Sequence, residues 1–263
     1  HVCNLDALWQ LGRGEWAGVD ARLEQGQQFC LRAGDQLRWC NAQGMRFWSL
    51  YYRGEQAALE PTATALLSRA QNAGNIQQEI WALRCKALCV LHTDQPREAV
   101  DILRLIGSAM LGSVDLAAQI SAKGALALAL ARTGRHAESV QAAAETLQLV
   151  KLMRRPSSHS TLVGISGAAE VFLRGREAGL AHAYDEWPRW EAQALRELKR
   201  YARAFPIGVP QLALWSGVSL WLEGKEAGAM SVWKDGMAAA QHLSLRRDEA
   251  MIAAELRRRR DRL

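Results

Sequence analysis

The sequence has no apolar run close to the roughly 20 residues that a membrane-spanning helix needs. It also has no basic N-terminal segment followed by an apolar stretch, which would indicate a signal peptide. Its five cysteines are an odd number and lack the spacing of a small disulfide-bonded domain. These absences predict a cytoplasmic protein with no membrane partner. Because the chain begins with His1 and not methionine, we expect it to be part of a larger multidomain protein.

The sequence also lacks a basic stripe, despite its net charge of +6. The stretch RRRRDRL at 257–263 holds five arginines against one aspartate, and it accounts for +4 of that charge. Arginines suit the negative end of a helix dipole, so we interpret this tail as a solvated helix end, with an acid- or phosphate-binding tail as the alternative. A nucleic-acid partner is therefore not expected. Deleting 257–263 is expected to change the melting temperature little.

No β-strand is predicted, because the sequence has no sustained alternation of apolar and polar residues that is bounded by turn residues. What the sequence does contain is a repeat. Helical stretches end at turn residues spaced by 40, 40, 40, 41 and 49 positions, and alanine stands three residues after each glycine among them. The turn residues are Gly14, Gly54, Asp94, Gly134, Gly175 and Gly224. Glycine can adopt the left-handed conformation that ends a helix, and alanine lets the next helix approach closely.

A period near 40 with two amphipathic helices per repeat predicts an all-α superhelix, similar to tetratricopeptide (TPR) repeats. We predict about six antiparallel helix pairs that form a single domain over 1–263. The first helices of the pairs are expected at 3–12, 35–53, 75–92, 114–133, 157–174 and 210–223. The second helices are expected at 15–33, 55–73, 96–110, 135–153, 177–204 and 225–243, with a last helix near 246–262.

The surplus in the last interval predicts an elaborated corner between two repeats near 177–210. Within FPIGVP at 205–210, Pro206 and Pro210 lack a backbone N–H, so the preceding helix must end before them. Gly208 is expected to allow the change of direction, and Pro210 suits the first turn of the next helix. Phe205 and Ile207 are expected to be buried as a structural wedge; the alternative is an exposed docking site.

The second half of the chain carries two motif-like stretches, RRPSSHSTLVGISGAAEVFLRG at 154–175 and a longer one at 195–245, which includes YARAFPIGVPQLALWSG at 201–217. They resemble the C-terminal TPR-like region of large bacterial signalling proteins that join a class III adenylate/guanylate cyclase domain to an AAA-type ATPase. The residues that carry the resemblance are Pro156, Gly167, Ala168, Glu170, Val171, Tyr201, Ala202, Arg203, Phe205, Pro206, Ile207, Gly208, Pro210, Trp215 and Gly217. The resemblance implies a regulatory arm that mediates protein–protein interaction.

The chain itself is not expected to be an enzyme or to bind a cofactor. It has no G-x-x-x-x-G-K-[ST] phosphate loop, and EGKEAG at 223–228 places Glu226 where a phosphate would be repelled. An alternative function is a small-ligand sensor, as in maltose-regulator-like transcription factors whose helical repeats also follow an ATPase. That alternative needs a pocket with convergent polar groups.

Other candidate sites favour structural interpretations. Cys85, Cys89 and His92 share a helix face but lack a fourth zinc ligand, so no metal is expected. The serines of PSSHS at 156–160 are interpreted as helix caps and not as partners of a catalytic His159.

The TPR-like register places a possible interaction groove along the first helices of the pairs. Its candidate residues are Asn41, Trp48, Tyr51, Trp81, Arg84, Phe172 and Trp221. An aromatic groove with an arginine suits an extended peptide or an amphipathic helix. A shift of one residue in register would instead turn these aromatic side chains into the core.

Overall fold

The computed structural model describes residues 2–110 and 115–260, and within these ranges the chain forms thirteen α-helices, two short 3₁₀ helices and no strand. The all-α helical-repeat prediction is confirmed. The helices are Val2–Arg13 (α1), Trp16–Ala33 (α2), Gln36–Arg53 (α3), Gln56–Asn72 (α4), Ile76–His92 (α5), Pro96–Ala109 (α6), Leu116–Arg132 (α7), His136–Leu152 (α8), Thr161–Glu177 (α9), Trp187–Ala204 (α10), Val209–Leu222 (α11), Glu226–His242 (α12) and Arg246–Arg260 (α13). None of these described helices is long and apolar enough to cross a membrane.

Contacts divide the chain into two compact units, His1–Ser113 with α1–α6 and Val114–Leu263 with α7–α13. In each unit, consecutive helices pack against each other. In the first unit, α1, α3 and α5 also pack side by side, and the contacts among α2, α4 and α6 are weaker. The first helices of the pairs therefore line the inner face of this unit. The single domain over 1–263 stays a prediction.

Left-handed turn residues end the helices, as predicted at five of six positions. Gly14, Gly54, Asp94, Gly134 and Gly224 have φ values between 58° and 77°. A second set of left-handed residues, Gly34, Gly74 and Ser244, lies 20 residues after members of the first set. One helix with its turn thus takes about half of the 40-residue period.

Asp and Asn side chains cap three first helices at the same repeat position. Asp35, Asn75 and Asp115 stand 40 residues apart, and each side-chain oxygen accepts a hydrogen bond from the backbone N–H three residues later, at 3.0–3.1 Å. Such caps satisfy backbone donors that the first turn of a helix leaves without partners. They fix where each first helix begins, and the sequence analysis missed them.

The prediction that a helix ends at Gly175 is wrong. Helix α9 continues to Glu177, and Gly179, with φ of 80°, is the residue that ends it. Gly175 is a glycine for a different reason, because a Cβ there would lie 2.5 Å from Cη2 of Trp187. The predicted helix over 177–204 is accordingly split into a 3₁₀ helix at Leu180–Ala183 and α10, which begins at Trp187.

The corner at 205–210 has the predicted helix boundaries. Helix α10 ends at Ala204, Pro206 begins a 3₁₀ helix, and Pro210 lies in the first turn of α11. Ile207 is fully buried, as predicted. Phe205 is only partly buried and packs against the ring of Tyr201, with ring centroids 5.0 Å apart.

Gly208 serves the corner by its size and not by its backbone conformation. Its φ of −84° is open to any residue, so the change of direction at the corner does not depend on a left-handed glycine. A Cβ at this position would lie 2.5 Å from Cδ1 of Tyr201. The Tyr201 ring is buried, and its hydroxyl donates a hydrogen bond to the carbonyl oxygen of His159 at 3.0 Å. The glycine therefore makes room for a tyrosine that ties α10 to the start of α9.

Replacing Ile207 with alanine is expected to lower the free energy of unfolding by about 3 kcal/mol, because a fully buried side chain would leave a cavity. Phe205→Ala is expected to have the smaller effect, about 1 kcal/mol, since part of that ring already faces solvent. Urea denaturation of the two variants measures both values. Equal losses would contradict the structural difference between these neighbours.

Candidate functional site

Three predicted groove residues form one buried aromatic cluster in the first unit. Trp48 and Tyr51 on α3 are both buried, with ring centroids 5.7 Å apart in an edge-to-face arrangement. The guanidinium carbon of Arg84 on α5 lies 5.3 Å from the centre of the Trp48 ring, within the range of a cation–π contact. The cluster joins the neighbouring first helices α3 and α5 beneath the inner face. Its side chains are largely inaccessible to solvent.

Asn41 and Trp81 are the predicted groove residues of this unit that remain partly exposed. They stand 40 residues apart, at the same repeat position on α3 and α5. Oδ1 of Asn41 is itself buried, and among the described residues it has no hydrogen-bond donor. The inner face thus presents the Trp81 indole beside the partly exposed side chain of Asn41.

The two predicted groove residues of the second unit belong to different clusters. Phe172 is fully buried between Trp187 and Trp190, with both ring centroids 5.6 Å away. Trp221 is partly exposed and stacks on Trp233 at 6.0 Å. Phe172 therefore stabilises the contact between α9 and α10, and Trp221 is the member of the pair that a partner could reach.

Part of the arginine tail is not solvated, contrary to the sequence interpretation of 257–263, whose last three residues lie outside the described part of the chain. Arg259 is 1% exposed, and its guanidinium group donates hydrogen bonds to Glu255 and Glu177, both at 2.6 Å. Arg174 on α9 also binds Glu255, and Arg258 approaches Glu177 at 3.0 Å. These five residues form a partly buried ion cluster that joins α13 to α9, with Glu255 and Arg259 at its buried centre.

The carboxylates of this cluster remain charged in their partly buried surroundings. Burial of Glu177 opposes its ionisation, but the hydrogen bond and charge of Arg259 outweigh this and hold the pKa of Glu177 below its usual value. The pKa of Glu255 is lowered in the same way, with Arg174 as the main partner opposing the effect of burial. The sequence offered one signal for this cluster, the i, i+4 spacing of Glu255 and Arg259.

A second polar cluster joins the start of α13 to α11 and α9. The side-chain amide of Gln211 donates a hydrogen bond to Asp248, and its carbonyl accepts one from Ser166. The indole N–H of Trp215 donates to Ser166 at 2.9 Å. Asp248 is buried, with the Arg247 guanidinium 3.8 Å away, and burial raises its pKa to about 6. Nothing in the sequence pattern singled out this aspartate.

Replacing Asp248 with asparagine is expected to stabilise the protein at pH 7 by about 3 kcal/mol, because one pKa unit corresponds to about 1.4 kcal/mol. The folded pKa exceeds the unfolded value of 3.8, so the stability due to protonated Asp248 is lost as pH rises from about 4 through 6. An asparagine oxygen can still accept the hydrogen bond from Gln211.

Urea denaturation of both proteins between pH 5 and 7.5 measures this effect. The parent protein should lose stability across this range relative to Asp248→Asn. The pKa values of Glu177 and Glu255 are lowered, so the stability that these two carboxylates contribute is fully present above about pH 4.5 and is lost only below it, outside the measured window. A constant difference between the two proteins across this range would contradict the titration of Asp248.

The two cysteines considered for a metal have thiols that resist ionisation. Cys85 and Cys89 are buried, and burial raises the pKa of each thiol to about 12. Within the part of the chain that the structure describes, no group of three or more His, Cys, Asp or Glu side chains is arranged to hold a metal ion. These thiols are thus poor metal ligands and weak nucleophiles at neutral pH.

The serines before α9 form local turns, and the predicted side-chain cap by Ser160 is not made. Instead, the Ser158 hydroxyl accepts a hydrogen bond from the backbone N–H of Ser160 at 3.3 Å. The Thr161 hydroxyl donates to the Ser158 carbonyl at 2.9 Å. These bonds shape the turn that leads into α9, where His159 is buried.

Each unit has a cleft that is open to solvent on one side. In the first unit, a cleft of about 350 Å³ lies between α4, α5 and α6, and its polar residues include Glu60, Lys86, His92 and Glu98. In the second unit, a cleft of about 270 Å³ is lined by apolar residues of α7, α8 and α9 together with Arg132, His136, Glu170 and Arg174. These volumes lie near the lower end of the range for small-molecule sites.

The structure therefore brings Trp48, Tyr51 and Arg84 together and leaves Asn41 and Trp81 open on the same face. No known protein family matches this chain, and no curated protein matches it either. What can be inferred about function depends on this geometry and on the motif resemblance in the second half of the sequence.

Proposed function

We propose that this chain is a non-catalytic helical-repeat domain that binds a protein segment and acts as the regulatory C-terminal arm of a bacterial cyclase/ATPase signalling protein. The observation that supports this most is the inner face of the first unit, where Asn41 and Trp81 occupy the same repeat position and are partly exposed. Its place in the cytoplasm is part of the same proposal, in line with five free cysteines.

The chemistry of this face suits an extended peptide. A peptide in extended conformation offers backbone N–H and C=O groups at regular intervals, and the partly exposed side chain of Asn41 can contact them. The Trp81 indole offers a large, rigid apolar surface for an adjacent side chain, the kind of residue that dominates binding energy at interfaces. The buried cluster around Trp48 keeps α3 and α5 in place, so the two side chains are held ready for binding.

Photo-crosslinking in bacterial cells tests the binding surface. A benzophenone amino acid at position 81 is expected to capture a protein segment. The control places the same probe at the exposed position Ala65 on α4, which is the second helix of its pair. With the captured segment as a labelled peptide, Trp81→Ala and Asn41→Ala should each weaken binding about tenfold or more. Melting temperatures identify any loss that is due to unfolding.

Equal crosslinking at positions 65 and 81 would contradict an inner-face site. So would unchanged peptide affinity in both alanine variants when their melting temperatures match that of the parent. ATP hydrolysis or cyclisation above a blank that a substitution within 1–263 abolishes would contradict the non-catalytic part of the proposal.

The place of the domain in a signalling protein rests on the resemblance of 154–175 and 201–217 alone. The coding sequence upstream of His1 tests it directly. A class III cyclase domain and an AAA-type ATPase are expected there. An unrelated catalytic domain would contradict this part and leave the peptide-binding part standing.

A small-ligand sensor is the second candidate, and the cleft that contains Glu60, Lys86 and Glu98 supports it. Convergent polar groups in a cleft of about 350 Å³ are compatible with a small polar ligand. A thermal-shift screen of polar metabolites distinguishes the candidates. A stabilising ligand whose effect disappears in Glu60→Gln but persists in Trp81→Ala would favour the sensor.

A further inference from the structure

Helix α1 carries an apolar stripe on its outer surface, separate from the proposed groove. Val2, Leu5 and Trp9 are 70%, 52% and 67% exposed. Their i, i+3 and i+7 spacing places them along one side of the helix. The guanidinium carbon of Arg13 lies 5.6 Å from the centre of the Trp9 ring, close to the turn that ends α1. Three large apolar side chains in a row are unusual on a helix surface that is open to solvent.

The repeat register shows what this stripe corresponds to inside the stack. The turn residues Gly14, Gly54 and Asp94 align α1 with α3 and α5 at an interval of 40. The positions equivalent to Val2, Leu5 and Trp9 are Ala42, Met45 and Ser49 on α3, and Ala82, Cys85 and Cys89 on α5. Five of these six are at most 5% exposed, and Met45 is partly buried.

The element that buries these positions is the preceding helix pair. Helix α1 packs against α2, its own second helix, and against α3, the next first helix, and these contacts leave its stripe exposed. Helices α3 and α5 make the corresponding contacts, and each also packs against the pair before it. Burial of the equivalent positions therefore comes from that preceding pair. The stripe on α1 is the stacking face of the repeat.

We propose that Val2, Leu5 and Trp9 form a docking face for an amphipathic α-helix that stacks on α1 in the way that α2 stacks on α3. In the 40-residue register, the face of α1 corresponds to the face of α3 that meets the preceding helix pair, which includes α2. The contact of α2 with α3 therefore indicates the kind of helix that would lie on α1 and its direction. A second copy of this chain joined head to tail fits poorly, because the last turn of α13 would bring the exposed Arg257 and Arg260 to an apolar surface. The occupant is thus an apolar helix of a repeat type, antiparallel to α1.

Extending the chain in register tests the proposal. Residues 16–41 are copied and joined directly before Val2, so that a copy of α2 and of its turn precedes α1 with the 40-residue register kept. A second extended chain carries residues 136–152, the alanine-rich α8, in place of the equivalent residues 16–32 of the copy, in case the α2 copy is too bulky for Trp9. Hydroxyl-radical footprinting with mass spectrometry then measures the labelling of Trp9.

Labelling of Trp9 is expected to fall about fivefold or more in at least one extended chain, as an indole that is 67% exposed becomes buried like its equivalents. Leu5→Glu in that extended chain should restore the labelling of Trp9 to the level of the parent. In the parent chain, Leu5→Glu should leave the melting temperature unchanged, because Leu5 is exposed there, which shows that the variant folds.

Parental labelling of Trp9 in both extended chains would overturn the proposal. So would protection of Trp9 that persists in Leu5→Glu, since the stripe would then not be the contact. Sedimentation of the parent chain gives a further check. A concentration-dependent dimer that Leu5→Glu dissociates would assign the stripe to a second copy and would also overturn the proposal.

Discussion

Arg259→Ala is expected to lower the free energy of unfolding by about 3–5 kcal/mol, the usual cost of removing one partner from a buried ion pair. The guanidinium group is 1% exposed and binds Glu177 and Glu255, so its removal leaves two carboxylates short of a counter-charge. The guanidinium carbon also lies 5.4 Å from the centre of the Trp221 ring, and this contact would be lost. Deleting 257–263 should have at least the same effect, the reverse of what the sequence suggests.

Urea denaturation followed by far-UV circular dichroism measures the loss, and the same helix supplies matched controls. Arg257 and Arg260 flank Arg259 and are exposed, so their replacement by alanine should change stability by less than about 0.5 kcal/mol each. If all three alanine variants lose the same amount, Arg259 has no special role. Restoring part of the stability by combining Arg259→Ala with Glu177→Gln would show that the two charges act together.

The arginine tail illustrates what local sequence cannot reveal. By their neighbours in the chain alone, residues 257–260 look like a solvated helix end. The Glu177 carboxylate that binds the buried Arg259 lies 82 residues away in sequence, on α9. Only the packing of α13 against α9 selects one arginine of four for the interior. Long-range pairing of this kind leaves no trace in periodicity or composition.

Turn chemistry was far easier to predict, because a helix end is a local event. The series of turn residues located Gly14, Gly54, Gly134 and Gly224, and all four adopt the left-handed conformation. Gly175 fitted the same spacing and yet lies inside α9, next to the Trp187 ring. A glycine in a repeat can thus serve a turn or a close contact, and the sequence pattern does not distinguish these two uses.

The sequence predicts which positions belong to the candidate groove but not which of their side chains are exposed. The register placed Trp48, Tyr51, Trp81 and Arg84 on first helices, where the structure has them. Burial then divides the set, because an aromatic ring on a helix between two neighbours can turn toward either of them. The direction in which each ring turns depends on the side-chain volumes of the adjacent helices, and a single sequence does not show which of those side chains will face the ring.

Glycines also mark the tightest helix contact of the second unit, between α7 and α9. A Cβ on Gly164 would lie 2.2 Å from the carbonyl oxygen of Ile120, and a Cβ on Gly124 would lie 2.3 Å from the carbonyl oxygen of Gly164. A Cβ on Gly167 would approach the carbonyl oxygen of Gly124 to 2.7 Å. The obstacles are backbone atoms, which cannot rotate away as side chains do. The two helices are therefore held closer than any residue with a side chain would allow.

Gly164→Ala is expected to destabilise the second unit by about 3 kcal/mol or more, because an added methyl group must push the backbone of α7 away from α9. Helix α9 also packs against α8, α10 and α11, so it cannot shift without disturbing three other contacts. Gly44→Ala is the matched control: this glycine lies inside α3, and a Cβ there would meet no atom within 4 Å. Because alanine favours a helix over glycine, the control should gain up to about 1 kcal/mol. Urea denaturation measures the change in the free energy of unfolding, which should be negative for Gly164→Ala and positive for Gly44→Ala. A gain in stability for Gly164→Ala would mean that α7 and α9 do not meet through their glycines.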